Sequence, residues 1–299
     1  MKRVFTIVLS LIIIVSACVC VSAANTGRAP SGEKVVFKVN GWAYEKVRNY
    51  GYEIDEYYGE NTAVDVPWSF AKEYVTSIGD YAFIENTALT SVNTTSKIDA
   101  IGDYAFNGCT ALSNVTLYDS LTTLGVGCFY GDSALRSINI ADTSIDAVPA
   151  YCFAECGFPT MRLPATCQSI GYHAFYNCSG LVRIDIPATV TDIADDAFTG
   201  CDNLIIVCPE GSAAAQYAEA KGIDYITNET LLMGDVNGDN KVNIRDVTFI
   251  QLYRVGLYNL VDNKAFLRAD VDRNGVVNIR DATNIQLRLV DLIPDLNNI

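Results

Sequence analysis

The dominant pattern along this chain is a phrase of apolar and polar residues that returns at a fixed interval. "IGDYAF", "IGDYAF", "LGVGCF", "VPAYCF", "IGYHAF" and "IADDAF" end on Phe83, Phe106, Phe129, Phe153, Phe175 and Phe198, at spacings of 23, 23, 24, 22 and 23 residues. After each phenylalanine come a few polar or small residues. A leucine then leads into a short alternating run: "LSNVTL" from 112, "LRSINI" from 135 and "LVRIDI" from 181. Alternation at period two predicts a strand with one buried face. Pro164 and Pro187 stop such strands from extending, because proline brings no ladder donor. One unit of this size cannot bury its own apolar face; stacked units can, with Phe, Leu, Ile and Val each forming a column through a common core. The pattern predicts an elongated, curved solenoid with a parallel sheet on one face. In the fourth unit "CFAECGFPTMRL" is one residue short and puts Phe158 in place of leucine, which predicts a local kink rather than a break.

The flanks supply ends for such a stack. "VVFKVNGWAYEKV" reads as two strands around Asn40-Gly41, a dipeptide that favours a type I′ hairpin. Trp42, Tyr44, Tyr50, Tyr52, Tyr57, Tyr58 and Trp68 crowd this region. They suit a cap over the open end of the solenoid better than a sugar-stacking platform. In "GSAAAQYAEAKGIDY", Ser212 can cap a helix start, the alanines favour its interior and Gly222 can end it. These units resemble the BspA-type leucine-rich repeats of bacterial surface proteins, over residues 54–225. Residues 57–83 are similar to that family's first repeat and 211–225 to its closing helix. The resemblance implies an α/β-type leucine-rich repeat solenoid of mostly short strands and turns. The expected division is an N-terminal cap with hairpin and first repeat at 31–76, and a solenoid with its C-terminal cap helix at 77–225.

The tail repeats a different phrase. "GDVNGDNKVNIRDVTFIQL" (234–252) returns as "ADVDRNGVVNIRDATNIQL" (269–287). A calcium loop spends twelve residues placing oxygens around one hard cation, with ligands at positions 1, 3, 5, 7, 9 and 12. In the first copy these are Asp235, Asn237, Asp239, Lys241, Asn243 and Asp246; in the second they are Asp270, Asp272, Asn274, Val276, Asn278 and Asp281. Position seven offers its backbone carbonyl, so Lys241 and Val276 are acceptable there. Two calcium ions are therefore expected. Position twelve is Asp rather than Glu, and position six is Gly275 in one copy but Asn240 in the other. Asn tolerates a left-handed backbone less freely than Gly. No helix is evident ahead of either loop, whereas "IRDVTFIQLYRV" and "IRDATNIQLRLV" follow with helical apolar spacing. Two loop-helix units with Asp at position twelve resemble the type I dockerin module, over residues 233–293. The resemblance implies a small all-α calcium-binding module of two F-hands that docks onto cohesin modules of scaffoldins in polysaccharide-degrading, cellulosome-type complexes. It assigns partner contacts to Ile244, Arg245, Ile279 and Arg280, and implies docking in two orientations related by a half-turn. An Ile-Arg pair calls for an apolar pocket beside a carboxylate on the acceptor. The dockerin is expected at 233–299, joined by a linker at 226–232 that lacks the Pro/Thr/Ser composition of a long tether.

Composition narrows the rest. The 299 residues are 50% apolar and 19% charged, enough to bury real cores, and the net charge of −14 argues against nucleic-acid binding. Lys2 and Arg3, an apolar run from Val4 to Val15 and the small residues Val21-Ser22-Ala23 read as a signal peptide at 1–23. A lipobox-like Val15-Ser16-Ala17-Cys18 offers lipid anchoring at Cys18 instead, and an uncleaved anchor is a third reading. All three place the protein outside the cytoplasm. Of ten cysteines, Cys109, Cys156, Cys178 and Cys201 stand three after a repeat phenylalanine, and Cys128 and Cys152 stand just before one. Register of this kind predicts buried free thiols, with an occasional bridge between neighbouring coils; Cys167 and Cys208 fall outside it. His173 is the sole histidine, expected on the solvent face and too isolated for a triad. The reading that follows is a non-catalytic accessory subunit whose solenoid binds an unidentified protein or polysaccharide. The alternatives are a carbohydrate-active hydrolase subunit and a cell-surface adhesin without a scaffold.

Overall fold

A computed structural model describes residues 36–47, 51–227, 232–260 and 263–292. The expected signal peptide and Cys18 lie outside the described residues. No helix among the described residues is long and apolar enough to cross a membrane.

The repeats stack as coils, but each coil contributes two strands rather than one. The expected strands form one parallel ladder, Ala63–Asp65, Ser91–Asn93, Asn114–Thr116 and Ser137–Ile138. It resumes as Thr160–Arg162, Arg183–Asp185, Ile205–Cys208 and Asp224–Thr227. A second ladder runs just ahead of the phenylalanines: Glu73–Ile78, Ala100–Ile101 and Thr123–Leu124, then Ala147–Val148, Ser169–Ile170 and Asp192–Ile193. The single sheet expected from the sequence is corrected to two, because two-residue strands are too short to alternate visibly. Residues 226 and 227 belong to the last strand rather than to the expected linker, since they pair with Val207 and Cys208.

Both ladders are interrupted at one place, between the third and fourth coils. There a 3-10 turn at Ile140–Asp142 takes up the extra residue of the 24-residue spacing. Asn139 bridges to the coil before it with its side-chain amide, accepting from Leu117 N at 2.9 Å and donating to Leu117 O at 2.9 Å. The core does not break. Successive phenylalanine rings from Phe83 to Phe198 stack at centroid separations of 4.8, 5.2, 5.7, 5.6 and 5.2 Å. The expected kink is thus a gap in strand pairing over an unbroken hydrophobic column.

The hairpin Val36–Val39 with Trp42–Val47 turns at Asn40 and Gly41, both at positive φ, as a type I′ turn requires. Trp42, in T-shaped contact at 5.9 Å, and Tyr57, stacked at 5.4 Å, pack on Phe83 and close that end of the column. At the other end helix α1, Ala213–Lys221, begins on the Ser212 side chain and ends on left-handed Gly222. The eight described cysteines are buried, and none of them forms a disulfide with another. Cys109, Cys156, Cys178 and Cys201 each donate their thiol to the phenylalanine carbonyl of the preceding coil, at 3.0–3.1 Å. A small side chain with one weak donor fits this slot, where it adds a second hydrogen bond to a carbonyl that already accepts from the backbone N–H three residues on. Cys128 and Cys152 face each other at 3.2 Å. His173 is not on a free face: it is half-buried among Tyr151, Tyr172 and Tyr176, its Nδ1 3.2 Å from the Tyr151 hydroxyl.

The tail adds helices α2 (Ile244–Arg254), α3 (Asn263–Ala269) and α4 (Ile279–Leu289). Helix α3 corrects the expectation that no helix precedes a loop. It runs directly into the second loop, with Ala265, Leu267 and Ala269 buried and Arg268 Nε donating to the Asp235 carbonyl of the first loop at 2.6 Å. The tail core of Met233, Val236, Val247, Ile250, Leu267, Val271 and Ile285 is shared with Ile205, Val207 and Ile226 of the solenoid.

Candidate metal centre and docking face

Each acidic loop is folded by its own carboxylates. In the first, Asp235 accepts from Asp239 N at 3.0 Å and Asn240 N at 2.9 Å. Asp239 accepts from Lys241 N at 3.0 Å, and Asn237 Oδ1 accepts from Asp239 N at 2.9 Å. The second loop repeats this: Asp270 accepts from Asn274 N at 3.0 Å and Gly275 N at 2.9 Å, and Asn274 from Val276 N at 2.9 Å. These bonds close each loop into a tight turn, with position six left-handed in both copies (Asn240 φ 62°, Gly275 φ 79°).

Positions nine and twelve carry a second duty that spacing alone did not reveal. Asn243 and Asn278 cap helices α2 and α4, and Asp246 and Asp281 complete the capping boxes from the third helical position. Asp246 accepts from Asn243 N at 2.8 Å and Val236 N at 2.9 Å. Asp281 accepts from Asn278 N at 2.8 Å and Asp272 N at 3.1 Å. The signal was present as Asn-x-x-Asp ahead of an apolar run. Asp at position twelve thus ties each loop to the helix it feeds. The Asn243 and Asn278 side-chain oxygens, engaged with Arg245 N and Arg280 N at 2.9 and 2.8 Å, suit ligation through water. The Val276 carbonyl at position seven accepts from Asn278 Nδ2 at 2.9 Å.

The donor set fits a hard divalent cation. Oxygens of Asp270, Asp272 and Asp281 lie within 4.8 Å of one another. Within this cluster Asp272 Oδ2 has no hydrogen-bond partner though buried, and the only cation paired with it among the described residues is Arg280, Nε at 3.4 Å. Burial raises Asp270 to about 6 and also pushes Asp246 and Asp281 up. Clustered carboxylates of this kind repel until a cation joins them. The first loop distributes its acids differently, with Asp at five and Asn at three.

Ile244, Arg245, Ile279 and Arg280 all stand in solvent, at the starts of α2 and α4. They open two stripes: Ile244, Arg245, Thr248, Gln251 and Val255 on one helix, and Ile279, Arg280, Thr283, Gln286 and Val290 on the other, every residue exposed. The solenoid residues that face the second loop were not singled out by the sequence reading. Thr160 Oγ1 donates to the Arg273 carbonyl at 2.9 Å, and Arg273 Nη1 lies 3.2 Å from Asp185 Oδ2. Their signal was the strand "IIVC" (205–208), buried throughout where other coils alternate.

Residues 76–205 match the family model described as BspA type Leucine rich repeat region, in six copies. Residues 233–289 match that of the Dockerin type I domain. Among solved structures, the Leucine Rich Repeat protein of T. pallidum is similar at 25% identity and a TM-score of 0.55, over 62% of this chain and 95% of that one. A leucine rich cell surface protein from Faecalibacterium prausnitzii A2-165 is similar at 21% identity and a TM-score of 0.48, over 61% of this chain and 56% of that one. No curated protein matches the chain.

Proposed function

Since this chain carries a BspA-type leucine-rich repeat region followed by a type I dockerin domain, we propose that it is a non-catalytic extracellular accessory subunit. Its tail docks, with calcium bound, onto a cohesin module of a scaffoldin in a polysaccharide-degrading complex. Its solenoid presents a binding surface to a protein or polysaccharide. Neither matched region is a catalytic domain. Type I dockerins bind calcium and cohesin modules; in this reading two ions bind, one per loop, through Asp235, Asn237, Asp239, Lys241, Asn243 and Asp246 and through Asp270, Asp272, Asn274, Val276, Asn278 and Asp281. The metal neutralises three carboxylates per loop and so fixes the starts of α2 and α4, from which Ile244, Arg245, Ile279 and Arg280 project.

The observation that carries the reading is the identity of the two exposed stripes. The helices read Ile-Arg-x-x-Thr-x-x-Gln and a final Val in both copies, at exposed positions. They differ at Val247 against Ala282, which are buried, and at Phe249 against Asn284 and Tyr253 against Arg288, which are half-buried. Arg254 against Leu289 is the one exposed difference on these helices. Internal packing explains differences on buried faces and asks for no identity on exposed ones. A partner that grips either helix alike does.

Immobilised full-length protein tests this against a panel of cohesin modules and the extracellular proteins of a scaffoldin-bearing source. Capture of a cohesin in calcium and its release by EDTA is the expected result. Capture of none overturns the docking role.

A further inference from the structure

The two loops differ in their surroundings. Asn240, at position six of the first, is exposed. Its counterpart Gly275 is pressed against the solenoid: a Cβ there would come within 2.7 Å of Pro159 Cγ and 2.8 Å of Pro159 Cβ. Around this contact the loop is bonded to the ladder by the Thr160 hydroxyl and by the Arg273–Asp185 ion pair. Asp185 also holds Arg183, itself 1% exposed, through two bonds of 2.5 and 3.0 Å. Beside this polar cluster the outward residues Ile205 and Val207, and Ile226 of the last strand, are buried in the tail core while Ile206 and Cys208 face the solenoid core.

We propose that the outer face of the C-terminal ladder, from Pro159 to Ile226, is a seat for this chain's own second acidic loop, so that calcium bound there also clamps the tail to the solenoid. The inference rests on the calcium reading given above. Binding to a site made from the seated loop stabilises the seated arrangement, because a ligand favours the state that presents its site intact. Position six of the first loop, Asn240, is exposed and makes no such close approach, so the two sites serve different ends: one shapes a docking helix only, the other also joins the two parts. Glycine at 275 is required by the close approach, whereas Asn suffices at 240.

Hydrogen exchange on the full chain, with calcium and with EDTA, tests the clamp. The probes are the strand amides at 205–208 and 224–227. Calcium is expected to slow their exchange by about tenfold or more in the native protein. Gly275→Asn installs the residue that the first loop already uses, so the loop keeps its fold while the seat is blocked. This variant is expected to bind calcium by titration calorimetry yet lose the added protection. Asn240→Gly, the mirror change, keeps it. Protection unaltered in Gly275→Asn, or lost equally in Asn240→Gly, overturns the clamp. Heat of binding without calcium-dependent protection in the native chain overturns the clamp alone; no heat at all overturns the calcium reading with it.

Discussion

At the scale of single residues, the column three positions after each phenylalanine is the most instructive. Four of its members are thiols that donate to a buried carbonyl, but Asp132 fills the same column wholly buried. Its Oδ1 accepts from Cys109 N at 2.8 Å, and its Oδ2 has no hydrogen-bond partner. Burial pushes its carboxyl up to about 9, so at neutral pH the folded protein holds it protonated. The sign follows. Above the unfolded value near 3.8, the unfolded chain releases this proton and the folded chain keeps it. This group's contribution to folding stability is therefore full in acid and falls with rising pH until the folded group itself titrates near 9. Asp132→Asn replaces a neutral acid by a neutral amide of the same shape and removes that dependence. It is expected to stabilise the protein at pH 7 by on the order of 2–4 kcal/mol, from the gap between pH 7 and the unfolded carboxyl value. The gain should vanish near pH 4, as read by urea denaturation across that range.

At the scale of elements, the solenoid is a row of units coupled mainly to their neighbours, and one coupling is weaker. Between the third and fourth coils neither ladder continues, although Phe129 and Phe153 stack at 5.7 Å and Phe129 N still reaches the Cys152 carbonyl at 2.9 Å. Native-state hydrogen exchange should therefore resolve two cooperative units, strands at 91–124 and strands at 160–208, opening with different free energies. A single uniform protection factor across residue 140 would contradict this. The location was legible in the sequence: spacings of 24 and 22 residues flank Phe153, and Phe158 displaces a leucine. Its form was not, because spacing reports where columns shift but not which hydrogen bonds give way. The same limit applies elsewhere. Phenylalanine period, strands after leucine, Ser212 and Gly222 caps and twelve-residue loops were all readable, since each leaves a fixed local signature. The ladder at Ala100–Ile101 and Thr123–Leu124 was hidden by its brevity, and α3 by its seven residues. His173 was misplaced because its aromatic neighbours, Tyr151 and Tyr172, are assembled across adjacent coils.

At the scale of the whole molecule, the tail is seated on the solenoid through a shared core, while both helix stripes remain in solvent, Ile244 at 60% and Ile279 at 49%. Neither stripe is covered by the body it is attached to, so a partner approaching from outside meets two near-identical faces. This fixes how single and double substitutions should differ. If either helix can carry the contact, losing one leaves the other mode intact, and the population of bound states falls only by half, about 0.4 kcal/mol from the statistical factor. Losing both removes the apolar anchor from every mode, and a buried anchor contributes about 2 kcal/mol or more. Ile244→Asp and Ile279→Asp are each expected to weaken binding to the cohesin captured above by about twofold, and the double variant by at least about thirtyfold, in titration calorimetry with calcium present. Should Ile244→Asp alone abolish binding while Ile279→Asp has no effect, the two stripes are not equivalent, and a single docking orientation, fixed by the first helix, takes the place of two.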